Sequence, residues 1–156
     1  MAARPRIVVK LGGELLESDG DVARMAKGIR ALAGAAQLTV VHGGGKEIDA
    51  ALAAAGIPKR QVDGLRVTDP ATLGVVVGVL AGSINTRLVA GVRRAGGRAV
   101  GLTGADAGVA VMKRAAPIVS TLGETVDLGL VGAPAGRSQP ALLAELMRKG
   151  YVPVVA

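Results

Sequence analysis

Two glycine turns and one lysine are the residues of this chain whose types and spacing could do chemistry. Lys10 closes the run Ile7-Val8-Val9-Lys10, and Leu11-Gly12-Gly13 follows it. A second β-rich run, Leu38-Thr39-Val40-Val41-His42, ends in Gly43-Gly44-Gly45. Glycine lets a backbone N–H approach an anion with no Cβ in the way. Consecutive amides that lead into a helix make an anion cradle. Lys10 adds a point charge beside the first turn. The constellation suits phosphoryl groups. Each part also has a plainer reading. Glycine turns are common at strand ends, and Lys10 could be a solvated strand-end lysine.

Other chemistries are excluded. The 156 residues contain no Cys, which removes disulfides, thiol catalysis and cysteine-type zinc sites. His42 is the single histidine, so there is no multi-histidine metal site. With one Tyr and no Phe or Trp, base-stacking nucleic-acid platforms are excluded as well. The net charge of +7 comes from scattered residues, and the densest groups are short, such as Arg93-Arg94 and Lys113-Arg114. A scattered excess reads as a solvated surface, with no nucleic-acid partner. Neither turn is a G-x-x-x-x-G-K-[ST] loop. Gly101-Leu102-Thr103-Gly104 lacks the third glycine of a dinucleotide fingerprint.

The elements that must position the turns follow from periodicity. Residues 7–9 and 38–42 read as buried strands. Helices are expected over 21–36, with Ser18 or Asp19 as cap, and over 46–55, stopped by Gly56 and Pro58. Residues 61–67 look extended, with Gly64 as a turn. Asp69 caps and Pro70 opens a long helix that runs to about Arg94. Residues 99–102 form a strand, and 109–112, 118–122 and 127–131 look like short strands of a meander. Ser138 is expected to cap a helix through Arg148, before a last strand at 151–155. Strands alternating with helices predict an α/β domain with a largely parallel sheet.

Met1 to Arg6 is basic, but the apolar run behind it is too short for a signal peptide. The most apolar stretch, 73–84, is about 12 residues, which reads as a buried helix with no membrane span. A cytoplasmic protein is the expectation. The chain stops directly after its last strand, where a functional loop normally follows. It is therefore expected to be the front part of a longer protein.

Several segments together resemble the amino acid kinase family, and its N-acetylglutamate kinases in particular. They are Val8-Val9-Lys10-Leu11-Gly12-Gly13, Val41-His42-Gly43-Gly44-Gly45, Gly64-Leu65-Arg66-Val67-Thr68-Asp69, Leu80-Ala81-Gly82-Ser83-Ile84-Asn85, Ala99-Val100-Gly101-Leu102-Thr103-Gly104 and Asp127-Leu128-Gly129-Leu130-Val131-Gly132. The resemblance covers nearly the whole chain, and the segment from Gly64 to Asp69 is its more specific part. It implies a three-layer αβα sandwich, with residues 1–156 as one N-terminal amino acid-binding domain. It implies transfer of the γ-phosphoryl of MgATP to the side-chain carboxylate of N-acetyl-L-glutamate, a step of arginine biosynthesis. Lys10 would neutralise the transferring phosphoryl, and Gly12 and Gly13 would offer amides to phosphates. Gly44 and Gly45 would receive the reacting carboxylate. Arg66 would grip the substrate α-carboxylate with its planar fork. The family's nucleotide-binding half does not occur here, so the chain alone is expected to be inactive or nearly so. Ala133-Pro134 stands where the family usually has an acidic residue after Gly132.

Alternatives stay open at this point. His42 could be a hydrogen-bonded strand-end residue rather than a catalyst. Arg66 could simply pair with Asp63 or Asp69, and Asp106 could serve a turn rather than a ligand. Gly74, Gly78 and Gly82 form a smooth stripe on the long helix. The family's corresponding helix packs across a two-fold, so a homodimer through Pro70–Arg94 is expected; a close crossing inside the monomer would also explain the stripe. The short lead before the first strand resembles dimeric, arginine-insensitive relatives. A related carboxylate kinase, the kinase-like domain of an N-acetylglutamate synthase and a non-catalytic binding or dimerising module are the rival readings.

Overall fold

A computed structural model describes residues 4–156; part of the basic lead read at 1–6 lies outside the described residues. The chain begins β1 (Arg6–Leu11), α1 (Asp19–Ala35), β2 (Gln37–His42) and α2 (Gly45–Ala54). A hairpin of β3 (Gln61–Val62) and β4 (Leu65–Arg66) leads into α3 (Pro70–Val77). A π-helical stretch (Gly78–Ile84) joins α3 directly to α4 (Asn85–Arg94). Then come β5 (Ala99–Leu102), β6 (Met112–Arg114), β7 (Ile118–Val119), β8 (Thr125–Val126) and β9 (Gly132–Pro134). The chain closes with α5 (Ala141–Arg148) and β10 (Val152–Val155).

The local signals operate as expected at most ends. Ser18 caps α1 by accepting from the Asp21 amide, and Asp69 caps α3 by accepting from the Thr72 amide. Pro70 sits in the first turn of α3. Gly56, Gly96 and Gly150, all at positive φ, terminate α2, α4 and α5. Asp63 and Gly64 both have positive φ (49° and 79°), the pairing that a two-residue hairpin turn requires.

The main sheet is parallel, in the order β1-β2-β10-β5. β10, last in sequence, therefore lies between two strands laid down much earlier, and it is buried along its whole length. Side chains alternate across this sheet. Leu38, Val40, Val152 and Val154 point to one face, where they join Val22, Ala26 and Ile29 of α1 and Leu88 and Val92 of α4 in the core. Thr39 points to the other face and touches Met147 of α5. Helices thus cover both faces, which makes the three-layer αβα sandwich. α5 has only eight residues, and a groove of about 450 Å³ remains between it and β1, with Val8 exposed.

Three expectations need correction. The three-strand meander is instead two nested antiparallel pairs, β7 with β8 inside β6 with β9. Residues 127–131 are not a strand, because Gly129 takes a φ of 77° and lies flat against the Thr68 carbonyl. Ser138 does not cap α5; Pro140 occupies the cap position, and the Ser138 hydroxyl accepts from the Val111 amide. The long helix runs over Pro70–Arg94 as expected, and its 25 residues are long and apolar enough by length and composition to cross a membrane. One face of this helix, with Ile84, Leu88 and Val92, is packed into the core. A close crossing within the monomer does not explain the glycine stripe: a Cβ on Gly74, Gly78 or Gly82 would meet nothing within 4 Å.

Candidate functional site

β1 and β2 are hydrogen-bonded neighbours in register, with Leu11 opposite His42. The glycine turns that follow them therefore emerge side by side at the carboxyl ends of the strands, where ligands bind in open α/β sheets. They touch. A Cβ on Gly13 would lie 2.9 Å from the Gly44 Cα and 3.1 Å from the Gly45 nitrogen. No aliphatic side chain could fit between them. Gly44 is the N-cap of α2 and Gly45 its first residue. The first amides of that helix have no intrahelical acceptor and sit at the positive end of its dipole. Gly44 is also pressed from behind, since a Cβ there would overlap Ile84 Cδ1.

Lys10 lies on β1 in the exposed phase of the alternation. It makes no ion pair among the described residues.

Arg66 is held against α2, the helix that follows the second turn. Its Nη2 donates to Asp49, which stands one turn along α2 from Gly45, about 6 Å on the helix axis. Neither sequence-based partner holds it. Asp63 accepts from the Thr121 amide and hydroxyl, while Asp69 caps α3 and pairs with Arg60 at 3.0 Å. The Arg66 side chain is only 15% exposed, and its Nη1 is buried with no partner. Half of a planar fork is thus unused, and an unpaired buried donor is costly to leave so. Asp49 also accepts from Lys59 at 2.7 Å. Bonds from Lys59 first and Arg66 second hold the Asp49 carboxyl below its ordinary range.

His42 is buried at the end of β2, and burial pushes its pKa down. Its Nε2 is 3.1 Å from Asn85 Nδ2, and its Nδ1 is 3.4 Å from the Gly43 carbonyl. It is the hydrogen-bonded strand-end residue among the two alternatives. Asp106 accepts from the amide and hydroxyl of Thr103 and closes a turn.

Sequence reasoning missed four residues around the turns: Asn85, Asp49, Glu47 and Arg87. Arg87 donates to the Leu16 carbonyl, and its Nη2 is 3.7 Å from Glu47 Oε1. Both Glu47 carboxylate oxygens and Arg87 Nε are buried without hydrogen-bond partners. One signal was available for Asn85, a poor helix former in the interior of a long helical pattern. The other three lie on exposed-looking helix faces, and only tertiary contact reveals them.

A parallel αβα sandwich whose first two strands end in touching glycine turns sets two groups of backbone amides side by side at the carboxyl edge of the sheet. Residues 5–156 match the Amino acid kinase family, and the chain belongs to it. An acetylglutamate kinase of Methanopyrus kandleri is 44% identical over 149 residues, covering 96% of this chain and 56% of that protein. An acetylglutamate kinase of Solibacter usitatus is 45% identical over 152 residues, covering 97% and 55%. The chain spans about half the length of the curated relatives it matches. The fold is shared with an N-acetylglutamate synthase of Neisseria gonorrhoeae solved with coenzyme A and N-acetyl-glutamate. That structure has a TM-score of 0.74 at 24% identity, covering 98% of this chain and 33% of that one.

Proposed function

We propose that this chain is the N-terminal, amino acid-binding part of an acetylglutamate kinase. That enzyme phosphorylates the side-chain carboxylate of N-acetyl-L-glutamate with MgATP, in the cytoplasm, during arginine biosynthesis. The contact between Gly13 and the Gly44-Gly45 backbone carries this reading, since it brings two sets of amides to one point. Gly44 and Gly45 receive the reacting carboxylate. Arg66 offers its free Nη1 to the α-carboxylate while Asp49 holds its other nitrogen. Gly12 and Gly13 face the phosphates, and Lys10 offsets the charge of the moving phosphoryl. Phosphoryl transfer needs positioning and charge stabilisation more than covalent chemistry, and fixed amides supply both without reorganising.

Calorimetry tests the assignment. N-acetyl-L-glutamate gives heat with this chain, MgATP alone gives little, and Arg66→Ala removes most of the first signal. An unchanged signal in Arg66→Ala sinks the role of Arg66. Preference for another acyl amino acid or carboxylate in a substrate panel sinks the substrate.

The same reading makes the long helix a homodimer surface. Gly74, Gly78 and Gly82 lie exposed with open space above them, and Val77 beside them is 53% exposed. Glycine inside a helix costs about 1 kcal/mol relative to alanine, and a close approach by a second backbone offsets that cost. Sedimentation of the wild-type chain should give a dimer, and Gly78→Leu a monomer. A monomeric wild type would remove this surface from the proposal.

A further inference from the structure

We propose that Asn85 is a positioning residue for the Gly43–Gly45 turn, acting through the ring of His42. The inference rests on the reading of that turn as a carboxylate cradle, but its first test does not need a ligand.

The hydrogen-bond logic at Asn85 allows one arrangement. Its side chain is 3.0 Å from the Val154 carbonyl of β10 and 3.1 Å from His42 Nε2. A carbonyl only accepts, so the amide group facing it must be the NH₂. That NH₂ has two hydrogens, and the second points at His42 Nε2. Nε2 must then carry the lone pair, which puts the ring proton on Nδ1. Nδ1 faces the Gly43 carbonyl at 3.4 Å, the first carbonyl of the glycine turn. Asn85 thus selects the tautomer that can donate to the turn. The other tautomer would set two N–H groups against each other and present a lone pair to the Gly43 oxygen.

The fold is built around this residue. Asn85 follows directly on the π-helical stretch Gly78–Ile84. A π turn shifts the phase of the side chains that follow and is often found at functional sites. Here it delivers two successive residues to one place, with Ile84 against Gly44 and Asn85 against His42. On the other side, β5 approaches so closely that a Cβ on Gly101 would overlap Asn85 Oδ1. Asn85 and His42 are both buried, so neither side chain can turn to water instead. An amide wedged between β2, β5 and β10 in this way fixes the carbonyl direction of Gly43 and hence the aim of the Gly44 and Gly45 amides.

The single histidine makes the test unambiguous. Long-range ¹H–¹⁵N correlation on the labelled wild-type chain at about pH 8, where histidine is neutral, should show His42 with its proton on Nδ1. A proton on Nε2 overturns the proposal with no variant needed. In Asn85→Leu the Nδ1 form should lose its dominance, and the Gly43, Gly44 and Gly45 amide resonances should move more than those of Gly12. If Asn85→Leu folds and leaves the tautomer and those resonances in place, the proposal is also overturned. Binding of N-acetyl-L-glutamate should weaken about tenfold in the variant, the effect of one lost hydrogen bond. Wild-type chain with the Nδ1 tautomer but no heat from N-acetyl-L-glutamate supports the positioning role and breaks the substrate reading.

Discussion

The sandwich and the lobe that spans residues 103–139 are built on opposite terms. In the sandwich, strands and helices bury Leu16, Leu38, Leu52, Leu88 and Val154 almost completely. In the lobe, only Leu128 and Ser120 are buried, while Met112, Val119, Leu122 and Leu130 stand exposed. The lobe is fastened instead by carboxylates. Asp106 closes the turn at Thr103, Asp127 holds the Gly129 amide and Arg114, and Asp63 of the β3–β4 turn holds Thr121. One region is stabilised by area removed from water and the other by local polar bonds, which are individually worth about 1 kcal/mol. The two glycine turns belong to the first kind, since each closes the end of a strand of the main sheet.

The largest effect that could break this contrast is a buried charge. Val154→Asp puts an unpaired carboxylate into the fully buried central strand, and the chain should fail to give a cooperative melt. A cooperative melt near the wild-type temperature would mean that β10 is not the keystone of the sheet. Next comes truncation of packing. Leu88→Ala, at 0% exposure, should cost about 2–5 kcal/mol. Leu122→Ala, at 86% exposure in the lobe, should change stability by less than about 0.5 kcal/mol in urea titrations. Equal losses at both positions would erase the distinction.

Acid separates the buried histidine of the sandwich from the hydrogen-bonded carboxylates, because the two kinds of group titrate in different windows. Burial lowers the folded pKa of His42 below its ordinary 6.5, so the unfolded chain takes up that proton first. The contribution of His42 is fully present above pH 6.5 and is lost as pH falls from there towards the folded value. The carboxyls of Asp63, Asp106 and Asp127 are lowered from 3.8, chiefly by hydrogen bonds, so their contribution is lost only below about that pH. Urea stability should therefore decline in two stages. His42→Gln should flatten the upper one and leave the lower. A single stage in both proteins refutes the assignment. A gain rather than a loss is expected at Gly74, exposed in α3 with open space around it. Gly74→Ala should raise the stability of the isolated protomer by about 0.5–1 kcal/mol, read at a dilution where no dimer sediments. A loss at that dilution would mean an intramolecular neighbour that the structure does not contain.

Most of the sandwich could be read from residue order. The β-branched runs at 7–9 and 38–42, the caps Ser18 and Asp69 with Pro70, and the terminating glycines Gly56, Gly96 and Gly150 act within a few residues of themselves. The turns at Gly12-Gly13 and Gly43–Gly45 were legible as turns because each follows a β-branched run. The lobe was less legible. Its strands are two or three residues long, too short for a period to register. Ser138 was read as a cap, but its hydroxyl is taken by Val111, 27 residues earlier in sequence.

Residue order alone carries the alternation of strands and helices, the helix ends and the glycine turns, because each is set by sterics and hydrogen bonds between near neighbours. Long-range packing sets the entry of β10 between β2 and β5 and the contact of Gly13 with Gly44. The same holds for Arg66 taking Asp49 as partner and for Asn85 meeting His42. Those contacts join residues far apart in the chain. Their free energy is gained only once the whole sheet has closed, so no local pattern carries them.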